Sequence, residues 1–551
     1  MTRPGPAVRD GRPAPDAAAG PVTAPATYAQ ERAWLASRLA HDPPTYCAVD
    51  EFPLHAAVTA NDLVHALHVL MDRHEPLRTV LRTVDGRLRQ EVHPRPEPRI
   101  ELADLSAHDH AAQAEERRSL RARLVRTPFD PHRAPQWRAA VLNLGEGAWS
   151  VVFAAHHTVY DTASGFNVHA ELTELCAAAE EGREARLPRL PLGYGAYARR
   201  ERERARTGGA DAAAAHWRTR LRGLPPVHTV PLDRPRPPAR TFRGAEVRAA
   251  LPVGVTAALT GAARHHGTRP VMLFLAAWTA LLHHHSGAAD LAVGLPVAGR
   301  DDPATRAMVG TFVNMRVLRA DLSGDPDGTE LVRRTTTAVR AGEKFDIPFQ
   351  SLVELLAAPR LPGVPPLYQL AFNHTPADGL GPPVSSCEED LLLDVAGSGL
   401  RLVYDAALFD RSTADLLLAD YLRLLAVLLD APGTRLSALL TGPAPRHTPR
   451  SAGAAPAART APAARTAPRD AAEERVAAVW RTLLGTDSGT VDVHEDFFTA
   501  GGHSLQALRL LARLAPARGS GPTLRTFFAD PTVAGLATAL KSTPDGRTAW
   551  R

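Results

Sequence analysis

The stretch AWSVVFAAHHTVYDTAS, residues 148–164, decides how the rest of the chain is interpreted. Its apolar run predicts a buried strand that ends in the pair His156-His157, and Asp161 follows shortly afterwards. The residues after Asp161 have the apolar spacing of a helix, for which Ser164 would be the N-cap. The stretch therefore predicts a strand, a polar turn and a helix N-terminus, which together can place an imidazole beside backbone N–H groups.

Composition excludes several classes of protein. The net charge is only +5 over 551 residues, and no basic block is interleaved with aromatic residues, so we expect no nucleic-acid partner. The three cysteines are far apart and odd in number, which predicts neither a disulfide framework nor a metal cluster. No apolar run reaches the roughly 20 residues of a membrane span, and the N-terminus lacks the apolar core of a secretion signal. We therefore expect a cytoplasmic protein without a membrane partner.

Composition and periodicity divide the chain into five segments. They are a disordered Pro/Ala/Gly-rich tail (1–25), two α/β lobes (26–225 and 226–445), a linker (446–470) and a small helical domain (471–545). A Pro-rich stretch at 223–238 marks the boundary between the lobes. The linker contains the near-repeat AARTAP and no large apolar residue, so it cannot form a core. The last segment has three amphipathic stripes, which predict three short helices.

A serine motif lies between the first two of these helices, in DFFTAGGHSLQAL (496–508). The pair Gly501-Gly502 permits a sharp turn, and Ser504 begins the next helix, where it would by itself be a capping serine. The motif resembles the attachment site of peptidyl carrier proteins, although Ala500 stands where that family usually has leucine. The resemblance implies that a phosphopantetheinyl transferase attaches 4′-phosphopantetheine to Ser504.

The histidine turn then becomes interpretable, because HHTVYDTAS resembles the HHxxxDG signature of nonribosomal peptide synthetase condensation domains, relatives of chloramphenicol acetyltransferase. The resemblance extends over about residues 27–445 and includes five further motifs. They are AQERAW (29–34), RHEPLRT (73–79), YGAYA (194–198), VGTFVNM (309–315) and FDIPFQ (345–350). It implies two chloramphenicol-acetyltransferase-like α/β lobes that form a V with a central tunnel, followed by the all-α carrier domain.

The same resemblance assigns roles to residues of the turn. His157 is expected to be the catalytic base, while His156 and Asp161 complete the motif and hold the turn in place. Asp161 is expected to pair with an arginine, for which Arg78 is the best candidate, and Asn314 is expected to approach from the second lobe. Backbone N–H groups at the following helix could stabilise a developing oxyanion.

One residue departs from the signature, because Thr162 stands in place of its glycine. A β-branched residue fills space and disfavours positive φ, so the turn or the tunnel could differ from those of relatives. Three interpretations remain open at this point: a tolerated substitution, a tuned substrate tunnel, or a loss of catalysis.

The expected function is amide formation between a donor acyl or peptidyl thioester on an upstream carrier protein and an acceptor amine. Only 25 linker residues separate body and carrier, so no adenylation domain lies between them, and a stand-alone adenylating enzyme is expected to load Ser504 in trans. Acyl transfer to a hydroxyl or to a free soluble amine would use the same turn. A non-catalytic docking platform for carrier and tailoring proteins is an alternative of another class.

Overall fold

Three β-sheets organise the part of the chain that the computed structural model describes. That part comprises residues 20–39, 46–85, 87–207, 210–237, 240–359, 361, 363–375, 379–381, 383–439, 466–484, 491–497, 500, 502, 504–514 and 522–542. The chain divides into two units, residues 1–208 with 298–314, and residues 209–297 with 315–551. This division differs from the predicted one at 225/226 in two respects: the boundary lies at 208/209, and residues 298–314 belong to the first unit. Most of the predicted tail and linker lies outside the described residues.

Among its described residues, the first unit combines a four-stranded and a three-stranded sheet with five α-helices. Its elements are β1 (Val22–Pro25), α1 (Tyr28–Leu39), β2 (Cys47–His55), α2 (Ala60–Arg73), β3 (Thr79–Val84), β4 (Arg87–Val92), β5 (Arg99–Asp104), α3 (His110–Arg126), β6 (Trp137–Gly145), β7 (Ala148–His156), α4 (Thr162–Glu181) and α5 (Tyr194–Thr207). The sheet orders are β2-β7-β6-β5 and β1-β4-β3. The prediction that residues 1–25 are disordered is wrong for Val22–Pro25, which form β1 by antiparallel pairing with β4.

The predicted hairpin of the histidine stretch is confirmed as β6 and β7, which are antiparallel with Val141 opposite Val151. Successive residues of β7 point to opposite faces of the sheet. Both sets are buried, because α2 and α4 cover one face and α3 covers the other. The predicted helix is also confirmed, but it begins at Thr162 and its N-cap is Asp161, not Ser164. The difference arises because the Asp161 carboxylate accepts a hydrogen bond from the Ser164 N–H, which is the interaction that defines an N-cap.

The second unit contains a six-stranded mixed sheet. Its elements before the carrier domain are α6 (Ala210–Arg220), β8 (Gly244–Ala250), α7 (Val255–His265), α8 (Pro270–Ser286), β9 (Asp290–Val297), β10 (Asn314–Asp321), α9 (Gly328–Lys344), α10 (Phe349–Leu355), β11 (Leu370–Thr375), β12 (Leu391–Ala396), β13 (Gly399–Asp405) and α11 (Arg411–Asp430). The strand order is β10-β9-β11-β12-β13-β8. Helix α8 is buried from Met272 to Leu282, as its apolar sequence predicts. Across the described ranges, no helix is both long and apolar enough to cross a bilayer.

The predicted carrier domain consists of short helices around an aromatic core. Its helices are α12 (Ala471–Leu484), α13 (Ser504–Leu514), α14 (Leu524–Ala529) and α15 (Val533–Ser542). The three predicted helices are confirmed as α12, α13 and α15, and the short helix α14 adds a fourth. Trp480, Phe497 and Phe527 are fully buried, and their rings meet edge to face. The end of the predicted linker belongs to this domain, because Thr466 pairs through its backbone with Val493.

A buried ion cluster in the second unit joins the Pro-rich stretch 223–238 to Asp390. Asp390 is completely buried and lies 2.9 Å from His228 Nε2 and 3.0 Å from Arg236 Nη1. Burial by itself raises the pKa of Asp390, but the hydrogen bonds and charges of His228 and Arg236 outweigh it and hold the pKa below its usual range. The Pro-rich stretch, predicted to be a boundary, therefore packs against the residue that precedes β12.

Replacement of Asp390 by alanine should destabilise the protein by about 3–5 kcal/mol, because Arg236 and His228 would be left without their buried carboxylate. Urea unfolding of the full chain would measure the loss. The matched control is Asp415→Ala, which removes an exposed carboxylate that faces Arg411, and should cost less than about 1 kcal/mol. Equal losses for the two variants would contradict the prediction.

Candidate active site

His157 is held through its backbone and through one ring nitrogen. Its N–H donates to the Tyr46 carbonyl at 2.8 Å, and the Thr311 hydroxyl donates to the His157 carbonyl oxygen. Its Nδ1 lies 3.3 Å from the Tyr160 carbonyl oxygen, which can only accept, so the proton is assigned to Nδ1. The neutral ring therefore carries its basic lone pair on Nε2. This is the tautomer that a general base requires.

His156 has a different environment. Its Nδ1 accepts a hydrogen bond from the Thr158 N–H at 3.2 Å and lies 2.8 Å from the Thr158 hydroxyl. Burial, together with the charges of His157 and Arg38, lowers the pKa of His156 to about 3. A neutral imidazole whose Nδ1 is already engaged is a poor proton acceptor, which favours the predicted structural role of His156.

Asp161 connects the turn to the segment 298–314. Its buried carboxylate accepts hydrogen bonds from the Ser164 N–H at 2.8 Å, from Arg300 Nη2 at 2.9 Å and from the Phe312 N–H at 3.0 Å. The Ser164 hydroxyl lies 2.8 Å from the Gly310 carbonyl oxygen and accepts from the Gly310 N–H. The Arg300 guanidinium also stacks on the Phe312 ring. The segment is thus fastened to the first turn of α4.

The predicted partner of Asp161 is therefore wrong, because the arginine is Arg300 and not Arg78. Arg78 ends a 3₁₀ turn before β3 and donates to the His93 carbonyl at 3.0 Å, which places its guanidinium beside the end of β4. Asn314 is half-buried and begins β10, two residues after Phe312. Its approach to the reaction site stays a prediction.

Thr162 is the first helical residue of α4, and its side chain is exposed. Its backbone is helical and it is not among the described residues with positive φ, so the structure does not require glycine here. The N–H groups of Thr162 and Ala163 have no acceptor within the helix, as at any helix start. These two N–H groups are the ones that the helix can offer to an oxyanion, because Ser164 and Gly165 donate to Asp161.

Sequence reasoning missed the residues that support the turn from a distance. His74, in the RHEPLRT motif, lies 3.0 Å from the Glu171 carboxylate on α4 and accepts from the Val309 N–H. Arg73 donates to the same carboxylate. The motif therefore joins α2, α4 and the segment 298–314, which is a structural role. Only their place in motifs could have pointed to these residues, because their partners are remote in sequence.

The backbone around the carrier serine fits a phosphopantetheine attachment site. Ser504 is the first residue of α13, and the preceding Gly502 donates its N–H to the Phe497 carbonyl at 2.8 Å. A Cβ on Gly502 would lie 2.3 Å from the Phe497 ring, so only glycine fits against this buried aromatic residue. Gly501 and His503 of the motif lie outside the described residues.

Comparisons with known proteins match two regions of the chain to family models. The family model "Condensation domain" matches residues 22–444, and the model "Phosphopantetheine attachment site" matches residues 474–540. The chain belongs to the condensation domain family. It also carries a phosphopantetheine attachment domain, whose cofactor is bound covalently to a serine, and this arrangement is that of nonribosomal peptide synthetases.

Individual relatives support the same assignment. The chain is 36% identical over 430 residues to phosphinothricin tripeptide synthetase PhsB of Streptomyces viridochromogenes, a match that covers 74% of this chain and 36% of the relative. The chain thus spans about a third of that synthetase. Among solved structures, the X-domain from teicoplanin biosynthesis, in complex with OxyB, is 27% identical with a TM-score of 0.66 and covers 78% of this chain and 98% of that domain. The predicted α/β fold with a helical carrier domain is confirmed.

The lowered pKa of His156 predicts a pH dependence of stability. Its folded value of about 3 lies below the value of about 6.5 in an unfolded chain, so the unfolded state binds the proton more readily between these limits. The free energy of unfolding should therefore fall as pH decreases from 6.5 towards 3. His156→Asn, which retains an acceptor near Nδ1, should reduce this dependence by up to about 1.4 kcal/mol per pH unit.

Urea unfolding at a series of pH values measures the slope for the wild type and the variant. The control is His132→Asn, in an exposed position, which should leave the slope unchanged. An identical slope for wild type and His156→Asn would show that His156 does not resist protonation in the folded state.

Proposed function

We propose that this chain is a condensation enzyme with its own carrier domain, which forms an amide between a donor acyl or peptidyl thioester and an acceptor amine. The donor would be bound to an upstream carrier protein. The observation that carries the proposal is the position of His157, directly after β7 and before the first turn of α4. Its Nδ1–H faces the Tyr160 carbonyl. This places a basic nitrogen and two backbone donors in one short stretch.

In this proposal His157 acts on an amine of which a substantial fraction is already in the neutral, nucleophilic form at pH 7. An α-amino group has a pKa of about 8, so roughly a tenth of it is neutral at pH 7, and prior deprotonation costs only about 1–1.5 kcal/mol. The amine nitrogen attacks the thioester carbonyl carbon, the C–N bond forms and the C–S bond breaks. His157 Nε2 receives the amine proton and returns a proton to the leaving thiolate sulfur. Positioning of the two substrates is expected to contribute more to the rate than base strength.

The first turn of α4 supplies the electrostatic part of this mechanism. The N–H groups of Thr162 and Ala163 lie at the positive end of the helix dipole, where they can donate to the oxygen that gains charge during attack. Asp161 keeps this turn in place through Arg300 and Phe312. His157 and the donors are therefore parts of one fixed unit.

The carrier domain provides the second substrate site. A phosphopantetheine on Ser504 would supply the thiol that carries an acyl or aminoacyl group as a thioester. A phosphopantetheinyl transferase would modify Ser504, and a stand-alone adenylating enzyme would load it in trans, because the segment between the matched residues 22–444 and 474–540 is too short for a further domain. The position of Ser504 at the start of α13 supports its assignment as the attachment residue.

A docking platform is the second candidate function. The X-domain of teicoplanin biosynthesis, which resembles this chain, was solved in complex with OxyB, so a protein of this fold can bind another protein. Product formation that depends on His157 separates an enzyme from a platform. Acyl transfer to a hydroxyl or to a soluble amine is distinguished by offering amine and alcohol acceptors in the same assay.

His157→Ala should reduce amide formation by roughly 10²–10⁴-fold, the range of general acid–base catalysis. The assay uses the holo protein, a donor carrier with a thioester and intact-mass detection of the product. Ser504→Ala tests the attachment residue in the same assay, since it should gain no phosphopantetheine. The matched control is His265→Ala at the end of α7, which should retain full activity. Full product formation by His157→Ala would reject the catalytic role.

Thr162→Gly should leave turnover within about a factor of ten of the wild type, because the helix start requires no glycine and the change in helix propensity is below about 1 kcal/mol. Single-turnover rates with short and long acyl donors would measure this. A gain of more than tenfold with one donor class would instead show that the threonine side chain selects the substrate.

A further inference from the structure

Tyr160 connects the candidate base to a second carboxylate. Its carbonyl oxygen faces His157 Nδ1 at 3.3 Å, and its hydroxyl donates to Asp50 Oδ2 at 2.6 Å. The Tyr160 ring is fully buried against Phe153 of β7, so neither end of this residue can move independently. Asp50 lies on β2, opposite Phe153 in the sheet register.

Asp50 is confined between this hydroxyl and the start of α4. A Cβ on Gly165 would lie 2.6 Å from Asp50 Oδ2 and 3.0 Å from the Tyr160 hydroxyl, so the absence of a side chain at Gly165 makes room for the carboxyl group. The pKa of Asp50 lies above its ordinary value, because burial outweighs the Tyr160 hydrogen bond and the charges of His157 and Arg121, which act in the opposite direction. Burial also raises the pKa of Tyr160, which keeps its hydroxyl protonated and able to donate.

The two carboxylates near the histidine turn differ in whether a cation already neutralises them. Asp161 faces the cation Arg300, whereas the hydrogen bond to Asp50 comes from a neutral phenol. His156 stays neutral, and Arg38 and Arg121 are the cations that act on His156 and Asp50, respectively. Asp50 interacts electrostatically with His157. Among the described contacts, its carboxylate has no arginine at hydrogen-bond distance, so it is available to compensate a positive charge on the His157 ring.

We propose that Asp50, held by Tyr160, is a positioning residue that stabilises the imidazolium of His157 during amide formation. The inference rests on the proposed function of His157 as the base. When the amine proton moves to Nε2, the ring gains a positive charge, which the Asp50 carboxylate favours. When the proton passes to the thiolate sulfur, the ring becomes neutral again. Tyr160 keeps its proton and Asp50 stays ionised throughout, so the proton moves only between the amine, His157 and the thiolate.

The test is the pKa of His157 in the full-length protein, followed by histidine-selective NMR and assigned with His157→Asn. Asp50→Asn keeps the shape of the side chain and removes its charge, so it should lower the His157 pKa by about one unit and slow amide formation about tenfold. Tyr160→Phe should shift the pKa in the same direction by a smaller amount, because the carboxylate loses the donor that favours its ionised form.

Glu51→Gln is the matched control, since Glu51 is the next residue on β2 and its carboxylate faces Ser150 and Arg117 on the opposite side of the sheet. It should leave the His157 pKa unchanged. An unshifted His157 pKa in Asp50→Asn would overturn the inference, even if activity fell. A shifted pKa together with full activity of His157→Ala would support the electrostatic link and reject the proposed function instead. If Asp50→Asn does not fold, the Tyr160→Phe titration decides by the same criterion.

Discussion

The carboxylate of Asp161 is the contact on which the arrangement of the site depends. It caps α4 through the Ser164 N–H and binds Arg300 and the Phe312 N–H, which lie 139 and 151 residues further along the chain. A buried ion pair contributes little net stability, because the loss of hydration offsets much of the attraction. Its larger effect here is on register, since a carboxylate with several fixed donors allows one position for the segment and for the turn that carries His157.

The two adjacent histidines show how neighbours can acquire different chemistry. His156 belongs to the end of β7, and its Nδ1 is engaged by Thr158, whereas the His157 ring faces the Tyr160 carbonyl. Burial and the neighbouring charges keep His156 neutral. Two identical side chains in sequence thus become one scaffold residue and one candidate base, and the difference is set by the turn rather than by the residue type.

Much of the fold could be predicted where the pattern is local. The hairpin β6-β7, the buried helix α8 and the carrier helices follow from alternation or from a 3.6-residue period over one short window. Prediction failed where a partner is remote. Val22–Pro25 form a strand only because β4 offers an edge, and the N-cap is Asp161 instead of the predicted Ser164 because the Asp161 carboxylate accepts from the Ser164 N–H. The partner of Asp161 could not be singled out among many arginines, because Arg78 and Arg300 look alike in sequence.

The sequence by itself determined the family, the carrier domain and the histidine turn, because each depends on residues that are close together in the chain. Only the tertiary structure decided which arginine neutralises Asp161, that Thr162 has helical geometry, and that Tyr160 contacts both His157 and Asp50. The physical reason is that hydrogen bonds and charges act over a few ångströms in space. Residues 110 or 139 positions apart become neighbours only after the sheet and α4 have packed.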